Sequence, residues 1–502
     1  MRANARAIVF LALALTLVVV GVSPGAGHAE SPSITSSVVE FSVYSDPPDL
    51  AMPWQTEGAE LYGGSGVIID GNRILTNAHV VADAVAIEVK RADASEQFPA
   101  TVTFISHDAD LALVEVQDED FFEGARALPI GETPRLQQAV QVWGFPEGGR
   151  TLSITSGIVS RIEVDSYAQS GRRLLSTQID AAINSGNSGG PVISDESIVG
   201  IAMQSLDDAE NVGYMIPAPV IRHFLEDVKD GRYHGFPRLG IRVQNMKSEA
   251  QRVAAGMRPA EAGALVIRVD YAGPAYGVLK PRDILLAVDG HPIANDLTVA
   301  SPGIGRVHYS MIYQSRQIGE RVTVSLLRDG KRFTKTIQLN AHTPLVPGRR
   351  TTDLPRYLVF AGLVFQPLSA DYFDYFEEPP PHLVSIAWNH GVTKGRREVI
   401  LMQRVLPDQV NRGYQSWEDE VVRLVNGVAP RDMTHLAELI DQAQGRWLRV
   451  LMQDGHLITL DRGAARGASE RILEGYGIAE DRYIMPDSSP SRRRRTGVDR
   501  RR

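Results

Sequence analysis

The chain has 502 residues, no cysteine and a formal net charge of −8. That length exceeds one compact core and implies roughly two to four domains. The 43% hydrophobic and 22% charged content is ordinary for globular protein and excludes disorder as the global state. The missing cysteines exclude disulfides, thiolate zinc sites and a thiol nucleophile, and the acidic balance argues against nucleic acid as the main partner.

Arg2 and Arg6 form a basic start, Ala7 to Val22 is an apolar run, and small residues surround Ala29. This pattern predicts a signal peptide over residues 1–29, cleaved after Ala29 or kept as an anchor. Residues beyond it are expected to lie outside the cytoplasm, with no later segment long enough to span a membrane.

A strand is expected over Ser37 to Tyr44, ended by Asp46-Pro47-Pro48. From Gly63 to about Met215 come short β-branched runs separated by glycine, asparagine and proline, among them Gly66 to Ile69, Leu111 to Val116 and Ile198 to Ile201. Strands of this length without long helices between them predict antiparallel barrels. Pro219 to Lys229 has helical periodicity and is expected to close that domain, set at residues 30–230.

Two related units follow, expected over 236–341 and 352–480. Each shows an apolar-Gly-apolar triplet (Leu239-Gly240-Ile241 and Ala361-Gly362-Leu363), then a strand ending in Asp289-Gly290 or Asn426-Gly427, then a hairpin turning at Asp329-Gly330 or Asp454-Gly455. Asp-Gly and Asn-Gly pairs suit tight turns that need positive φ. Asn340 to Thr352 reads as a linker, and the Ser/Pro/Arg-rich residues 487–502 read as a disordered basic tail.

Three segments carry chemistry: Thr76-Asn77-Ala78-His79-Val80-Val81, Asp110-Leu111-Ala112-Leu113, and Gly186-Asn187-Ser188-Gly189-Gly190-Pro191. A serine hydroxyl attacks only when a base takes its proton, and the oxygen that becomes negative on the substrate needs N–H donors already aimed at it. A glycine-flanked serine on a tight turn allows both. Ser188 is therefore the candidate nucleophile, His79 the base, Asp110 the acid that holds the imidazole, and the N–H groups of Gly186 and Ser188 the oxyanion hole. Each residue singly has an ordinary structural explanation; the order His, Asp, Ser in strand-rich context is what gives them joint weight. No His or acid pattern supports a metal site.

With Gly64-Ser65-Gly66-Val67-Ile68 added, these segments resemble the Deg/HtrA (Do-like) serine proteases, and Pro53-Trp54-Gln55 together with the atypical second unit resembles the plant-type branch and its bacterial relatives. The resemblance implies a mainly β fold: a chymotrypsin-like double β-barrel followed by two PDZ-like α+β domains. It implies an ATP-independent serine endopeptidase for misfolded or damaged protein, without cofactor, periplasmic, and assembled as a trimer or a multiple of it. Ala182, Ile183, Ala202, Met203 and Gln204 should then line the specificity pocket; no acid stands among them, so small or medium aliphatic residues are expected at the cleavage point. Leu239, Gly240 and Ile241 are expected to receive a peptide's C-terminal carboxylate, while Ala361-Gly362-Leu363 reads either as the same device or as a hairpin turn. A non-catalytic chaperone or scaffold on a retired protease fold is the competing class, disfavoured by the intact triad.

Overall fold

The computed structural model describes residues 33–146, 151–205, 212–348 and 355–484; the signal segment 1–29 and the tail 487–502 lie outside them. Six strands, β1 (Val38–Ser45), β2 (Glu60–Ile69), β3 (Arg73–Thr76), β4 (Ala84–Arg91), β5 (Phe98–Ser106) and β6 (Leu111–Val116), close into a barrel in the order β1-β2-β3-β6-β5-β4. Six more, β7 (Ala139–Gly144), β8 (Ser153–Ser166), β9 (Arg173–Ile179), β10 (Pro191–Ser194), β11 (Ser197–Ser205) and β12 (Gly213–Pro217), close a second barrel in the order β10-β11-β12-β9-β8-β7. Closure leaves neither sheet with a free edge. Helix α1 (Ala218–Asp227), opened by Pro219 where its missing N–H costs nothing, buries Val220, Ile221 and Phe224 against the second barrel.

The barrels are not separate cores. Val67, Leu75, Leu111 and Leu113 of the first join Val140, Val142, Ile201 and Ile216 of the second in one buried cluster. This explains why β6 reads as a continuous apolar run and not as an alternation: it is covered on both faces. The candidate residues sit at that seam.

The next unit holds β13 (Ile241–Asn245), α2 (Glu249–Ala254), β14 (Ala264–Val269), β15 (Ile284–Val288), β16 (His291–Pro292), the hairpin β17 (Thr298–Ser301) and β18 (Gly305–His308), α3 (Ser310–Gln314), β19 (Arg321–Arg328) and β20 (Lys331–Gln338). Its sheet runs β13-β14-β15-β19-β20, leaving β13 at an edge. It is tied to the protease barrels by buried contacts. The Arg172 guanidinium donates to the carbonyls of Phe236 (3.1 Å) and Pro237 (2.9 Å), and Gln314 Nε2 donates to the Arg173 carbonyl at 2.8 Å. Burial, helped by repulsion from Arg238, lowers the Arg172 pKa to about 10.

The last unit holds β21 (Tyr357–Phe360), β22 (Leu363–Pro367), α4 (Ala370–Asp374), α5 (Pro381–Asn389), β23 (Ile400–Val405), β24 (Glu420–Val425), α6 (Met433–Asp441), β25 (Trp447–Met452), β26 (Leu457–Asp461), α7 (Arg462–Gly475) and β27 (Arg482–Tyr483). Its sheet runs β26-β25-β24-β23-β22-β21-β27. One expectation resolves here against the peptide-loop reading. Ala361 (φ 52°) and Gly362 (φ 83°) are the two central residues of a tight turn joining β21 to β22, with Phe360 opposite Leu363. Both positive φ values are those of a type I′ hairpin, so Ala361-Gly362-Leu363 is a turn and not a carboxylate loop. The expected linker is also less free than its composition suggests, since Leu345 is 3% exposed and packs with Leu368 and Tyr372.

Candidate active site

His79 follows β3, and Asp110 directly precedes β6. Those two strands pair with Thr76 opposite Ala112, which brings the ends together. Asp110 is 1% exposed and adopts φ 53°, an uncommon conformation for a residue with a side chain. Contacts from Asn77 and His79 hold it there. Its carbonyl accepts from Asn77 Nδ2 at 2.8 Å, its Oδ1 accepts from the His79 backbone N–H at 3.0 Å, and its two carboxylate oxygens lie 2.9 and 2.8 Å from His79 Nδ1. A ring nitrogen facing a carboxylate carries the proton, so Nε2 presents its lone pair on the other side.

Ser188 lies in the turn between β9 and β10. The Asn187 N–H donates to the Asn184 carbonyl at 3.0 Å, and Gly186 between them has φ 91°. A four-residue turn with positive φ at its third position is type II, which only glycine adopts freely. Gly189, φ 83°, lies so close to the first barrel that a Cβ there would stand 2.1 Å from the Ser65 carbonyl, 2.2 Å from Thr76 Oγ1 and 3.1 Å from Asn77 N. The nucleophile turn is thus pressed against the segment that leads into His79. In this resting arrangement the Ser188 hydroxyl donates to the Met203 carbonyl at 3.3 Å and not to the imidazole; catalytic hydrogen bonds often form or tighten only once substrate is bound.

In the sequence Ser65 is one member of the Gly64-Ser65-Gly66 string, and the structure gives it a specific place. It is fully buried. Its Oγ donates to the Gly186 carbonyl (2.7 Å) and accepts from the Phe145 N–H (2.8 Å), while its own N–H donates to the Ser188 carbonyl (2.9 Å). The Gly186–Asn187 peptide is therefore held at both ends, its carbonyl by Ser65 and its N–H by Asn184. No motif distinguishes this serine from any other in a Gly-Ser-Gly string.

Of the expected pocket residues, Ile183, Ala202 and Met203 are buried and Ala182 is partly exposed. Gln204 continues β11 opposite Tyr214; its side chain lies outside the described residues. Ile183 lies against Gly213, a glycine not singled out in the sequence: a Cβ there would be 2.8 Å from Ile183 Cδ1. In the first of the two later units, Leu239 is 2% exposed, and the Leu239 and Gly240 carbonyls accept from Ala275 N–H (3.0 Å) and Asp270 N–H (2.8 Å). Gly240 takes φ 65°. Far from these sites, Glu420, Asp454 and His456 bring ligating atoms within 4.8 Å of one another. Asp454 there bonds the His456 N–H at 2.9 Å and its ring nitrogen at 2.5 Å, contacts that a hairpin turn explains without an ion.

Residues 64–201 match a family described as trypsin-like peptidase domain, and residues 237–339 and 346–483 each match a family described as PDZ domain. Protease Do-like 4, mitochondrial, of Arabidopsis thaliana is 38% identical over 447 residues, covering 89% of this chain and 84% of that protein. Protease Do-like 2, chloroplastic, of the same plant is 36% identical, covering 90% and 75%. A solved structure titled HtrA-type protease AlgW with tripeptide superposes with a TM-score of 0.50 at 23% identity, over 62% of this chain and 95% of that one, a likeness of fold.

Proposed function

We propose, for a chain that belongs to the Do-like (HtrA) family of serine proteases with PDZ domains, that it cleaves misfolded or damaged protein by an acyl-enzyme route through Ser188, His79 and Asp110. The Ser188 hydroxyl turns from the Met203 carbonyl to the imidazole when substrate enters. As Oγ bonds to the scissile carbonyl carbon, its proton passes to His79 Nε2, and the oxygen's new charge falls between the N–H groups of Gly186 and Ser188. The imidazolium then gives that proton to the departing amine. Water, activated by the same nitrogen, hydrolyses the ester. Asp110 keeps the tautomer and stabilises the charged ring, and no nucleotide or metal takes part.

The observation that carries this reading is the bidentate contact of His79 Nδ1 with a carboxylate that is itself pinned by Asn77 and the His79 N–H, beside a nucleophile turn packed onto the same segment. Degradation of casein by wild type and by Ser188→Ala tests it. The variant should lose on the order of 10³- to 10⁶-fold in rate; equal rates would reject Ser188 as nucleophile.

The buried apolar side chains of Ile183, Ala202 and Met203, with Gly213 against Ile183, support cleavage after Val, Ala or Leu. Such side chains are buried in native proteins, which restricts attack to unfolded chains. Dominant cleavage after Arg or Lys in a peptide library would reject that assignment. The inward-turned carbonyls of Leu239 and Gly240, beside the free edge of β13, support capture of C-terminal peptides by the first PDZ domain. A site of action across an inner membrane, in the periplasm, rests on residues 1–29, and a trimeric assembly rests on the family; fractionation and mass in solution test the two.

A further inference from the structure

A peptide bound by a PDZ domain pairs with the free edge of the strand that follows the apolar-Gly-apolar loop. In the first PDZ domain that strand, β13, has one neighbour, β14. In the second, β22 is flanked by β21 on one side and β23 on the other. Both of its edges are paired, and the triplet that would receive a carboxylate is folded into the hairpin turn. A Cβ at Gly362 would stand 2.3 Å from the Leu406 carbonyl and 2.4 Å from Asn411 Nδ2. The second domain therefore has no place at β22 for an added strand.

The same sheet holds a different segment. Gln366 of β22 and Gln403 of β23 are each 2% exposed. Two buried amides are costly unless every polar group finds a partner. They bond to each other, Gln366 Nε2 to Gln403 Oε1 at 2.8 Å. Their remaining donors leave the domain: Gln366 Nε2 reaches the Leu50 carbonyl (3.0 Å), and Gln403 Nε2 reaches the carbonyls of Leu50 (2.8 Å) and Ala51 (3.1 Å). Those carbonyls belong to the loop between β1 and β2 of the protease. Pro53 is buried, and Trp54 packs on the cluster containing Tyr357, Val364 and Ile472, its ring 5.9 Å from that of Tyr357 and edge-on. The loop is shaped to be gripped: the Asp49 carboxylate accepts from the N–H groups of Ala51 (2.7 Å) and Met52 (2.9 Å), and the Asp49 N–H donates to the Gln55 carbonyl at 3.1 Å.

We propose that the second PDZ domain is a built-in receptor for the protease's own β1–β2 loop, residues 49–55, and that this docking steadies β2 and with it Ser65 beneath the nucleophile turn. The docked partner is a segment of the same chain; a free C-terminal peptide is excluded from β22 by the strand already there. The docking half stands on the contacts alone, and the steadying half rests on the protease reading given above.

Amide hydrogen exchange on the full chain separates the two. In Gln366→Leu/Gln403→Leu, which keeps the bulk of both side chains, the amides of residues 49–57 should exchange on the order of tenfold faster or more as the loop opens locally, with casein cleavage reduced several-fold. Unchanged exchange at 49–57 would overturn the docking. Faster exchange with unchanged cleavage would overturn the coupling to Ser65 and leave the docking intact. Because the chain has no cysteine, Trp54→Cys/Tyr357→Cys supplies the only two thiols for a short bis-maleimide. A monomer-sized, internally linked product is expected; linked dimers would assign the loop to a neighbouring copy and overturn the same-chain assignment, and no link would overturn the contact. Titration of the full chain with a fluorescent apolar C-terminal octapeptide should show at most one site per chain, and a second site that survives loss of the first PDZ loop would overturn the exclusion.

Discussion

Ser65→Ala removes one oxygen atom and two hydrogen bonds. The Gly186 carbonyl loses its 2.7 Å donor and the Phe145 N–H its 2.8 Å acceptor, in a place from which water is excluded. Each buried polar group left alone costs about 1–3 kcal/mol, so the variant should be less stable by roughly 2–4 kcal/mol after some relaxation. The loss falls on the peptide that joins Gly186 to Asn187, whose orientation is the basis for aiming the Gly186 and Ser188 N–H groups. Removing one oxyanion donor outright costs about 10²–10³ in kcat; a donor misdirected part of the time should cost less, about 10- to 100-fold. KM should stay nearly constant, because the substrate's side-chain pocket is untouched. A peptide boronate, whose tetrahedral adduct uses the same donors, should lose affinity in parallel with kcat. These readouts separate a positioning residue from a core hydroxyl. Ser65→Ala that melts earlier, yet retains wild-type kcat and boronate affinity where it is folded, would refute the reasoning.

Acid should weaken the protein before its carboxylates titrate. Burial first, then repulsion by Arg173, lowers the His308 pKa to about 4, and burial also lowers that of His223. The folded chain then holds fewer protons than the unfolded chain between about pH 6.5 and 4. The contribution of His308 is complete above that window and is lost as pH falls through it, about 1–3 kcal/mol allowing for the ring's partial exposure. Urea midpoints should drop from pH 7.5 to pH 5, and His308→Gln should shrink the drop; equal shifts in both proteins would exclude this group. At the β21–β22 turn, Ala361 takes a left-handed φ of 52° that glycine adopts without cost, so Ala361→Gly should raise stability by about 0.5–1 kcal/mol. A lower melting temperature would show that the packing of its methyl group, 2% exposed, outweighs the backbone strain.

Some of this was legible in residues alone because it is local. A glycine-flanked serine, a histidine after an apolar strand and an aspartate entering another each report on a few neighbours; the pairing of β3 with β6 brings the last two together, and the nucleophile turn packs against the end of β3 through Gly189. Ser65 was not legible, because its bonds reach 80 and 121 residues along the chain and no local pattern encodes them. Nor were Gln366 and Gln403, whose shared target at Leu50 is more than 300 residues away. The two apolar-Gly-apolar triplets are more instructive. Leu239-Gly240-Ile241 and Ala361-Gly362-Leu363 look alike, yet one lies beside a free strand edge and the other turns a hairpin. What differs lies just upstream. Phe236-Pro237-Arg238 contains a residue with no N–H and a fixed φ, unfit to pair in a ladder, and its carbonyls are taken instead by Arg172. Tyr357-Leu358-Val359-Phe360 is an unbroken β-forming run, free to fold back on the strand after the glycine. Whether such a triplet can receive a peptide therefore depends on whether the preceding segment is able to take the place that the peptide would occupy.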